Sequence, residues 1–434
     1  MGRFLLFTLI IGAGFSLLFA PWIAGLAYVL NSLLQPQYIW FWIFEGIPIF
    51  RITAGLAILG LIFALSQKKA DSEIYKDRQN LIILIIWLWM HLSHMLSSFN
   101  GVPVSVSPEL VLGTINSIFI MYFVLLPLLN SEKALKYLCY GFIFVGSYYV
   151  YWANSAYINQ EWYRFANGRL KGPYGSPYRD ENALSTLIVM SLPFIILLFF
   201  RVKNTVFKGL VLLSVPMAWH AIVLFSSRAA LLASVISLLL MASVIKSKKV
   251  NILIASSFVI FMVYQGSLLI GRTTETIESS RVETNEPINP RLISWEAGLR
   301  LIPEYPIFGA GVQMFEAATR YHFPGKTPHV AHNTFINFSA NTGILTGIMF
   351  LLLIYLPWRR LKDAKKTNGS FDDTYYYGTV ASSISLMGFF VCSMFLDLII
   401  YEPFYIVLVI NLIAWKGLKK TVNTAEIAES LGKH

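Results

Sequence analysis

Two histidines, His329 and His332, stand three residues apart in the stretch HVAHNTFINFSANTG, where a polar segment gives way to an apolar one. Such spacing brings two side chains together, so the pair could bind a metal. No carboxylate or cysteine accompanies them, and HVAHN lacks the glutamate of the zinc-protease motif. A neutral imidazole near pH 7 can instead take a proton from a hydroxyl group. The spacing therefore favours a general base, with metal binding as the alternative.

Arg228 lies in LFSSRAALLAS, between two apolar blocks with almost no polar loop around it. A charge at membrane depth costs about 2.5–3.5 kcal/mol on insertion, which makes it a functional candidate. The two hydroxyls of the SSR turn favour an anion site. An arginine that extends from a helix end toward the lipid headgroups is the alternative.

Arg291 begins a second candidate segment, INPRLISWEAGLRLIPEYPIFGAG. Asn289 as N-cap and a proline at the first helical position predict a short helix that ends at about Ile302. Arg291 and Trp295 are four residues apart and share one face of it. The helix dipole disfavours a cation at this end, and a bound anion would offset that cost. The alternative is a surface helix with Trp295 at the membrane interface.

Arg179 lies in a third candidate segment, GPYGSPYRDENALS, which leads into an apolar block. Asp180 or Asn182 is expected to cap the helix that follows. Capping accounts for these two residues, so Arg179 is the one left to contact a ligand.

The composition indicates a membrane protein. Of 434 residues, 56% are hydrophobic and 13% are charged, whereas a soluble chain has about 25% charged residues. The apolar residues form blocks of roughly 17–25, enough for a helix to cross a bilayer, and β-barrel strands would be shorter and alternating. We predict an all-α polytopic protein, a single transmembrane domain over residues 1–434. Its twelve blocks lie at about 4–33, 47–66, 81–98, 109–129, 134–152, 182–201, 206–225, 229–246, 251–270, 333–357, 376–396 and 401–418.

Three details of these blocks bear on the structure. The first block contains Pro21, which predicts a kinked helix or a span followed by a re-entrant piece. His91 and His94 lie in the third block without a charged partner and are interpreted as hydrogen-bonded core residues. Cys139 and Cys392 lie inside apolar blocks and are interpreted as core residues rather than a disulfide.

Positive charge alternates between the connections of these blocks. Of the 34 Lys and Arg residues, 22 fall in alternate connections, from Arg3, Lys68 and Lys69 to Lys433. By the positive-inside rule these connections and both termini are cytoplasmic. The net charge of +11 is thus a topology signal, and no nucleic-acid partner is needed to explain it.

The other twelve cations fall on the outer side, and ten of them are arginine. A guanidinium can hold phosphate through two parallel hydrogen bonds, so outer arginines suit an anionic ligand. Pairing with glutamates of the same loop is the alternative for any single arginine. Two outer connections are long, residues 153–181 and the main polar segment 271–332, which we expect to be a partly helical loop between spans nine and ten.

The pattern around His332 resembles that of the O-antigen ligase family, which includes O-antigen ligases, O-antigen polymerases and bacterial protein O-oligosaccharyltransferases. The family pattern is His, then Asn, Ser or Gln, nine residues, Gly, two residues, then Gly, Thr or Tyr. Here it is met by His332, Asn333, Gly343 and Thr346. The SRAAL turn, the RLISWEAGLRLIPEYPIFGAG segment and GPYGSPYRDENALS also resemble family features, so the resemblance covers nearly the whole chain.

The resemblance implies a membrane glycosyltransferase of the GT-C type. The donor would be a glycan on undecaprenyl or another polyprenyl diphosphate, and the acceptor a hydroxyl of a glycolipid, a glycan or a protein. Transfer would invert the anomeric carbon without a metal or other cofactor. It would take place on the periplasmic face of the bacterial inner membrane, in lipopolysaccharide or other cell-envelope polysaccharide biosynthesis.

The resemblance also implies roles for the candidate residues, with the periplasmic loop 271–332 carrying part of the active site. His332 would be the catalytic base, and arginines would stabilise the charge on the leaving diphosphate. The arginines are Arg228, Arg291 and Arg179, and the supporting residues are Asn333, Gly343 and Trp295. His329 has no assigned role.

Besides a non-catalytic glycan-binding or assembly component, two alternatives stay open. One is a polymerase of the same family, in which the acceptor is a second lipid-linked glycan. The other is a polytopic transporter of an anionic lipid-linked or small substrate, since outer arginines would suit that substrate as well. The spans carry few ionisable residues and show no half-to-half symmetry, which disfavours a transporter.

Overall fold

The computed structural model describes residues 2–248, 251–252, 254–256, 258–259, 263, 290–324, 330–367 and 369–431. The described chain is mostly helical. Its α-helices are α1 Gly2–Phe19, α2 Trp22–Leu34, α3 Pro36–Ile39, α4 Phe41–Phe44, α5 Ile49–Ser66, α6 Arg78–Met95, α7 Pro108–Leu128, α8 Glu132–Ile158, α9 Glu181–Arg201, α10 Thr205–Leu224, α11 Arg228–Ala242, α12 Pro290–Glu304, α13 Phe315–His322, α14 Thr334–Thr342, α15 Ile344–Lys366, α16 Thr374–Ser393 and α17 Glu402–Leu431. Short 3-10 helices cover Ser72–Lys76 and Trp162–Arg164, and strands β1 Phe165–Ala166 and β2 Arg169–Leu170 pair antiparallel.

Five of the described helices, α5, α7, α9, α10 and α15, are long and apolar enough to cross a membrane, and α2, α11 and residues Leu6–Phe19 are shorter apolar helices. Backbone hydrogen bonds are satisfied within each helix, as a hydrocarbon solvent requires. The helical, polytopic architecture agrees with the prediction. Twelve spans and a cytoplasmic location for both termini stay predictions, and most of block 251–270 lies outside the described residues.

The first apolar block is a helical hairpin, not a single kinked span. At one end of α5, the Arg3 guanidinium lies 3.8 Å from the Glu45 carboxylate. At the other end, Gln67 Nε2 donates to the Leu18 carbonyl at 3.3 Å. Helix α1 therefore runs parallel to α5, and the chain reverses at Pro21. Arg3 consequently lies at the opposite end of α5 from Lys68 and Lys69.

The tenth block is also two helices, because the chain breaks at Gly343. This residue has φ +91°, a conformation that L side chains rarely adopt. The break separates the short α14 from the long α15. The apolar pattern runs through the break, which is why composition alone predicted one span.

Helix α16 lies at the centre of the bundle and packs against α9, α11, α15 and α17. Small residues permit this close approach, as is common between membrane helices. A Cβ on Gly388 would lie 2.8 Å from Ser237 Oγ, and a Cβ on Gly378 would lie 3.0 Å from Ala414 Cβ. These close contacts hold α11, α16 and α17 together beneath the loops at their ends.

A second, smaller apolar core lies among α12, α13 and α14. It contains Phe99, Ala297, Leu301, Ala310, Met314, Phe315, Ala317, Ala318, Ala331, Ile336 and Ala340. Because α14 belongs to both this core and the bundle, the described part of the main polar loop is held against the start of α15.

Candidate functional site

A cavity of about 350 Å³ lies where α11, α12 and the α16–α17 loop meet. Two arginines, Arg228 and Arg291, line it together with Trp295. The remaining lining is apolar and consists of Ala229, Leu232, Leu292 and Phe395. The cavity thus combines two fixed positive charges with a surface suited to a hydrocarbon chain.

The SSR turn presents Arg228 to this cavity. Ser226 adopts φ +55°, which ends α10, and the Ser227 hydroxyl accepts a hydrogen bond from Ala230 N as N-cap of α11. The Ser227 side chain is therefore used for capping, while Arg228, the first residue of α11, has an exposed side chain.

Arg291 lies in the first turn of α12 and is partly buried. Its pKa is lowered, first by burial and then by the positive charges of Arg228 and Arg169, while the Asp180 carboxylate acts in the opposite direction. Cations that repel one another in a partly dry cavity are stabilised when an anion binds between them. The electrostatics favour an anionic ligand.

Trp295 joins the arginine cavity to His332. Its Nε1–H donates to the main-chain oxygen of His332 at 3.4 Å, and its ring lies 6.0 Å from that of Phe395. Trp295 and Phe395 both line the cavity. The His332 main chain is therefore hydrogen-bonded directly to a residue of the cavity wall.

His332 itself has a left-handed backbone, with φ +50°, and a partly exposed side chain. Its N–H donates to Asp397 Oδ2 at 3.0 Å. Asn333, the next residue, caps α14 by accepting from Ile336 N at 3.1 Å and donates to the Met394 carbonyl at 3.1 Å. A left-handed backbone is unfavourable for a residue other than glycine, and it persists only where surrounding contacts enforce it. Such residues are frequent at functional sites.

Asp397, which sequence reasoning missed, therefore holds the turn that carries His332. Burial raises the pKa of its carboxyl to about 6, although the backbone N–H groups of His332 and Asn333 act to lower it. Oδ1 is buried and accepts no hydrogen bond from the part of the chain that the structure describes. The signal was present in the sequence, since Asp397 is an acidic residue inside the apolar run MFLDLII.

The GAG turn, residues 309–311, packs against the end of α14 and Gly343, the glycine of the His332 pattern. Ala310 N and Gly311 N donate to the Ala340 and Asn341 carbonyls, each at 2.8 Å. A Cβ on Gly343 would lie 1.9 Å from the Ile307 carbonyl oxygen, and one on Gly309 would lie 2.3 Å from Asn341 C. Both positions therefore require glycine, and the contact of Gly343 with Ile307 holds the start of α15 against the end of α12.

The remaining predicted residues have mixed placements. Asp180 caps α9, as predicted, by accepting from Asn182 N and Ala183 N. Arg179 is exposed, stacks on Tyr174 with its guanidinium carbon 4.5 Å from the ring centroid, and does not line the cavity, so its role stays a prediction. His329 lies outside the described residues.

The histidines of the third block differ from each other. His91 Nε2 hydrogen-bonds Asn116 Oδ1 at 2.9 Å, in agreement with the interpretation as a core residue. His94 Nδ1 is buried and has no hydrogen-bond partner within the described ranges.

The fold and the cavity define the class of protein: a polytopic helical membrane protein with an arginine-lined cavity beside a histidine-bearing turn. Residues 210–351 match the family model described as O-antigen ligase, which supports the resemblance seen in the sequence. The match includes Arg228, Arg291 and His332 but ends before Asp397. Residues 1–153 match a family of unknown function. No curated protein matches the chain.

Proposed function

We propose that this protein is an inverting, metal-independent glycosyltransferase of the O-antigen ligase type. It moves a glycan from a polyprenyl diphosphate to an acceptor hydroxyl on the periplasmic face of the inner membrane. One observation carries the proposal: Trp295 lines the cavity that contains the two arginines, and it also donates a hydrogen bond to the His332 carbonyl.

The donor diphosphate would bind to Arg228 and Arg291. A lipid diphosphate carries about two negative charges, which a pair of guanidinium groups can hold by charge-assisted hydrogen bonds. The apolar lining beside them, Leu232 and Leu292, is exposed. It offers a surface for the first part of the polyprenyl chain, so the lipid need not leave the bilayer.

The reaction would replace the bond between the anomeric carbon and a phosphate oxygen by one to the acceptor oxygen. The His332 imidazole takes the acceptor proton as this oxygen attacks, and the electron pair of the broken bond stays on the diphosphate. The arginines stabilise the negative charge that develops there, a contribution often worth about 3–4 kcal/mol for each well-placed donor. No step requires a metal.

Asp397 would act through the backbone. By accepting from the His332 N–H it maintains the left-handed turn. Together with the Asn333 cap it fixes the position of the His332 main chain, from which the imidazole extends. It is a positioning residue in this scheme.

The test is an in vitro transfer assay with purified protein in nanodiscs, a defined polyprenyl diphosphate glycan and three acceptors: a glycolipid, a peptide and a second lipid-linked glycan. New glycoside of inverted configuration by NMR, formed in the presence of EDTA, is the expected result. Growth of the lipid-linked glycan alone would instead assign the polymerase alternative. Movement of donor across proteoliposomes with no new glycosidic bond would overturn the proposal in favour of a transporter.

A further inference from the structure

One face of α15 changes from apolar to cationic toward the C-terminal end of the helix. Ile348, Leu352 and Tyr355 recur at helical spacing and are 45%, 37% and 54% exposed. Arg359 and Lys366 continue the same face, and their side chains are 62% and 79% exposed. Helix α15 is long and apolar enough to cross a membrane, so its exposed apolar side chains contact lipid. The change to cations therefore marks the membrane surface.

The opposite face of the same segment is fixed by Arg360. The Arg360 side chain is 5% exposed, and its guanidinium lies 3.2 Å from the Asp77 carboxylate. It also donates to Asn411 Oδ1 at 2.9 Å. Because separating a buried guanidinium from its partners is costly, these contacts hold α15 in one rotation about its axis. The exposed cations are thus presented in a defined direction.

The exposed cations of this segment outnumber its acids. The stretch WRRLKDAKK contains five cations and a single carboxylate, that of Asp363. Asp363 lies 3.8 Å from Arg359 and 3.3 Å from Lys366, so two cations share one negative charge. Lys362 Nζ lies 4.8 Å from the centroid of the Trp358 ring. Exposed ion pairs contribute little, and an excess of positive charge remains to attract an anion.

Helix α11 provides a second side to this surface. Lys365 Nζ donates to Ser243 Oγ at 3.2 Å, and Ser243 is the C-cap of α11. The helix dipole stabilises a cation at this end of a helix. Two exposed lysines, Lys246 and Lys248, follow Ser243 along the chain. The ends of the two helices form one cationic surface, the α11–α15 surface, which consists of Lys246, Lys248, Arg359, Lys362, Lys365 and Lys366.

The partner that fits this surface must match both charge and apolar area. The cations attract a phosphate, and the apolar face of α15 below them suits an acyl chain. Tyr355 and Trp358 lie at the boundary, and such aromatic residues are typical of the membrane interface. A soluble anion or an acidic peptide would use the cations alone. Clusters of four to eight Lys and Arg residues beside a span are typical of anionic-lipid binding.

We propose that the α11–α15 surface binds an anionic phospholipid of the phosphatidylglycerol type. Its phosphate lies among Arg359, Lys362 and Lys366, and its acyl chains lie along the exposed apolar face of α15. The site is separate from the His332 pattern, because a rise of 1.5 Å per residue places Arg359 about 22 Å from Ile344, the first residue of α15. The inference therefore does not depend on the proposed function.

The experiment titrates purified full-length protein in detergent with phosphatidylglycerol and, in parallel, with phosphatidylcholine. Native mass spectrometry counts the bound lipids. Each basic residue near an anionic headgroup contributes about fivefold in affinity. We therefore expect Lys362→Gln/Lys366→Gln to bind phosphatidylglycerol about 10- to 30-fold more weakly than the wild type, with little change for phosphatidylcholine. Lys362→Arg/Lys366→Arg keeps both charges and is expected to bind as the wild type does.

Lys68→Gln/Lys69→Gln is the matched control. Both lysines are exposed and follow α5, another helix that is long and apolar enough to cross a membrane. The control loses the same two charges outside the α11–α15 surface, so phosphatidylglycerol affinity within about twofold of the wild type is expected. All four substituted lysines are exposed, and thermal unfolding verifies that each variant folds.

Three outcomes would overturn the inference. Unchanged phosphatidylglycerol binding by Lys362→Gln/Lys366→Gln would exclude the surface as the binding site. Equal weakening in the Lys68→Gln/Lys69→Gln control would show a general attraction of anionic lipid to every cationic helix end. Displacement of the lipid by free glycerol 3-phosphate or by polyglutamate would show that the surface recognises charge alone, and a soluble anion or an acidic protein segment would then be its partner.

Discussion

The backbone N–H of His332 donates to the Asp397 carboxylate at 3.0 Å, across 65 residues of sequence. This contact joins the turn after the main polar loop to the loop between α16 and α17. Trp295 completes the connection, because it donates to the carbonyl of the same histidine. His332 is thereby held through both its backbone N–H and its carbonyl oxygen beside the arginine cavity.

Replacement of the imidazole should abolish transfer. We expect His332→Ala to lower kcat by about 10²- to 10⁴-fold, the usual contribution of a general base, with unfolding temperature little changed. His322→Ala is the matched control, since His322 lies on α13 and hydrogen-bonds Tyr305 at 2.8 Å. Transfer at wild-type rate by His332→Ala would remove the general-base role.

Lysine should not replace the cavity arginines. Arg228→Lys and Arg291→Lys keep the charge but lose the fork, so we expect about tenfold or greater losses in kcat/KM for the donor. Arg300→Lys on the same helix as Arg291 is the control, because Arg300 is exposed and pairs with Glu296. Full activity of Arg228→Lys would show that only the positive charge at this position matters and not the paired hydrogen bonds of the guanidinium.

Stability should depend on the protonation of Asp397. Its folded pKa of about 6 lies above the ordinary value of 3.8, so the neutral form is favoured by folding. The stabilisation that the neutral Asp397 carboxyl gives the folded state is complete below about pH 4. It is lost as the pH rises through 6, because the carboxyl then ionises in its buried position. Each pKa unit corresponds to about 1.4 kcal/mol, so we expect Asp397→Asn to gain stability over the wild type between pH 5 and pH 7.5. Thermal unfolding across this range measures it, and parallel pH curves would contradict the assignment.

A side chain at Gly343 should disrupt the support of the site. With φ +91° and a Cβ only 1.9 Å from the Ile307 oxygen, we expect Gly343→Ala to cost roughly 2 kcal/mol or more. Gly113→Ala in α7, where nothing lies within 4 Å, should instead be neutral or stabilising by up to about 1 kcal/mol. Thermal unfolding in one detergent compares the two, and equal unfolding temperatures would argue against the docked GAG turn.

The helical hairpin α1–α2 predicts that Arg3 and Lys68 face opposite sides of the membrane. The native thiols Cys139 and Cys392 are buried, so Arg3→Cys and Lys68→Cys can be labelled selectively in intact cells with an impermeant maleimide. We expect Arg3→Cys to react and Lys68→Cys to react only after permeabilisation. Equal protection of both positions would restore a single span and a cytoplasmic N-terminus.

The sequence by itself determined the helical membrane class and most helix positions, and it predicted the candidate residues of the site. Apolar blocks, the SSR turn and the pattern of His332, Asn333 and Gly343 are local features, and local features are readable without a fold. The junction of Arg228 and Arg291 in one cavity agrees with the expected anion site.

Only the tertiary structure decided which distant residues complete that site. Asp397 accepts a hydrogen bond from His332 across 65 residues of sequence, because the bundle brings the α16–α17 loop against the turn before α14. The tertiary structure also reversed α1 against α2 and split the tenth block at Gly343, where hydropathy is continuous. Hydropathy measures transfer into lipid, and it contains no information about a chain reversal or about which polar groups meet.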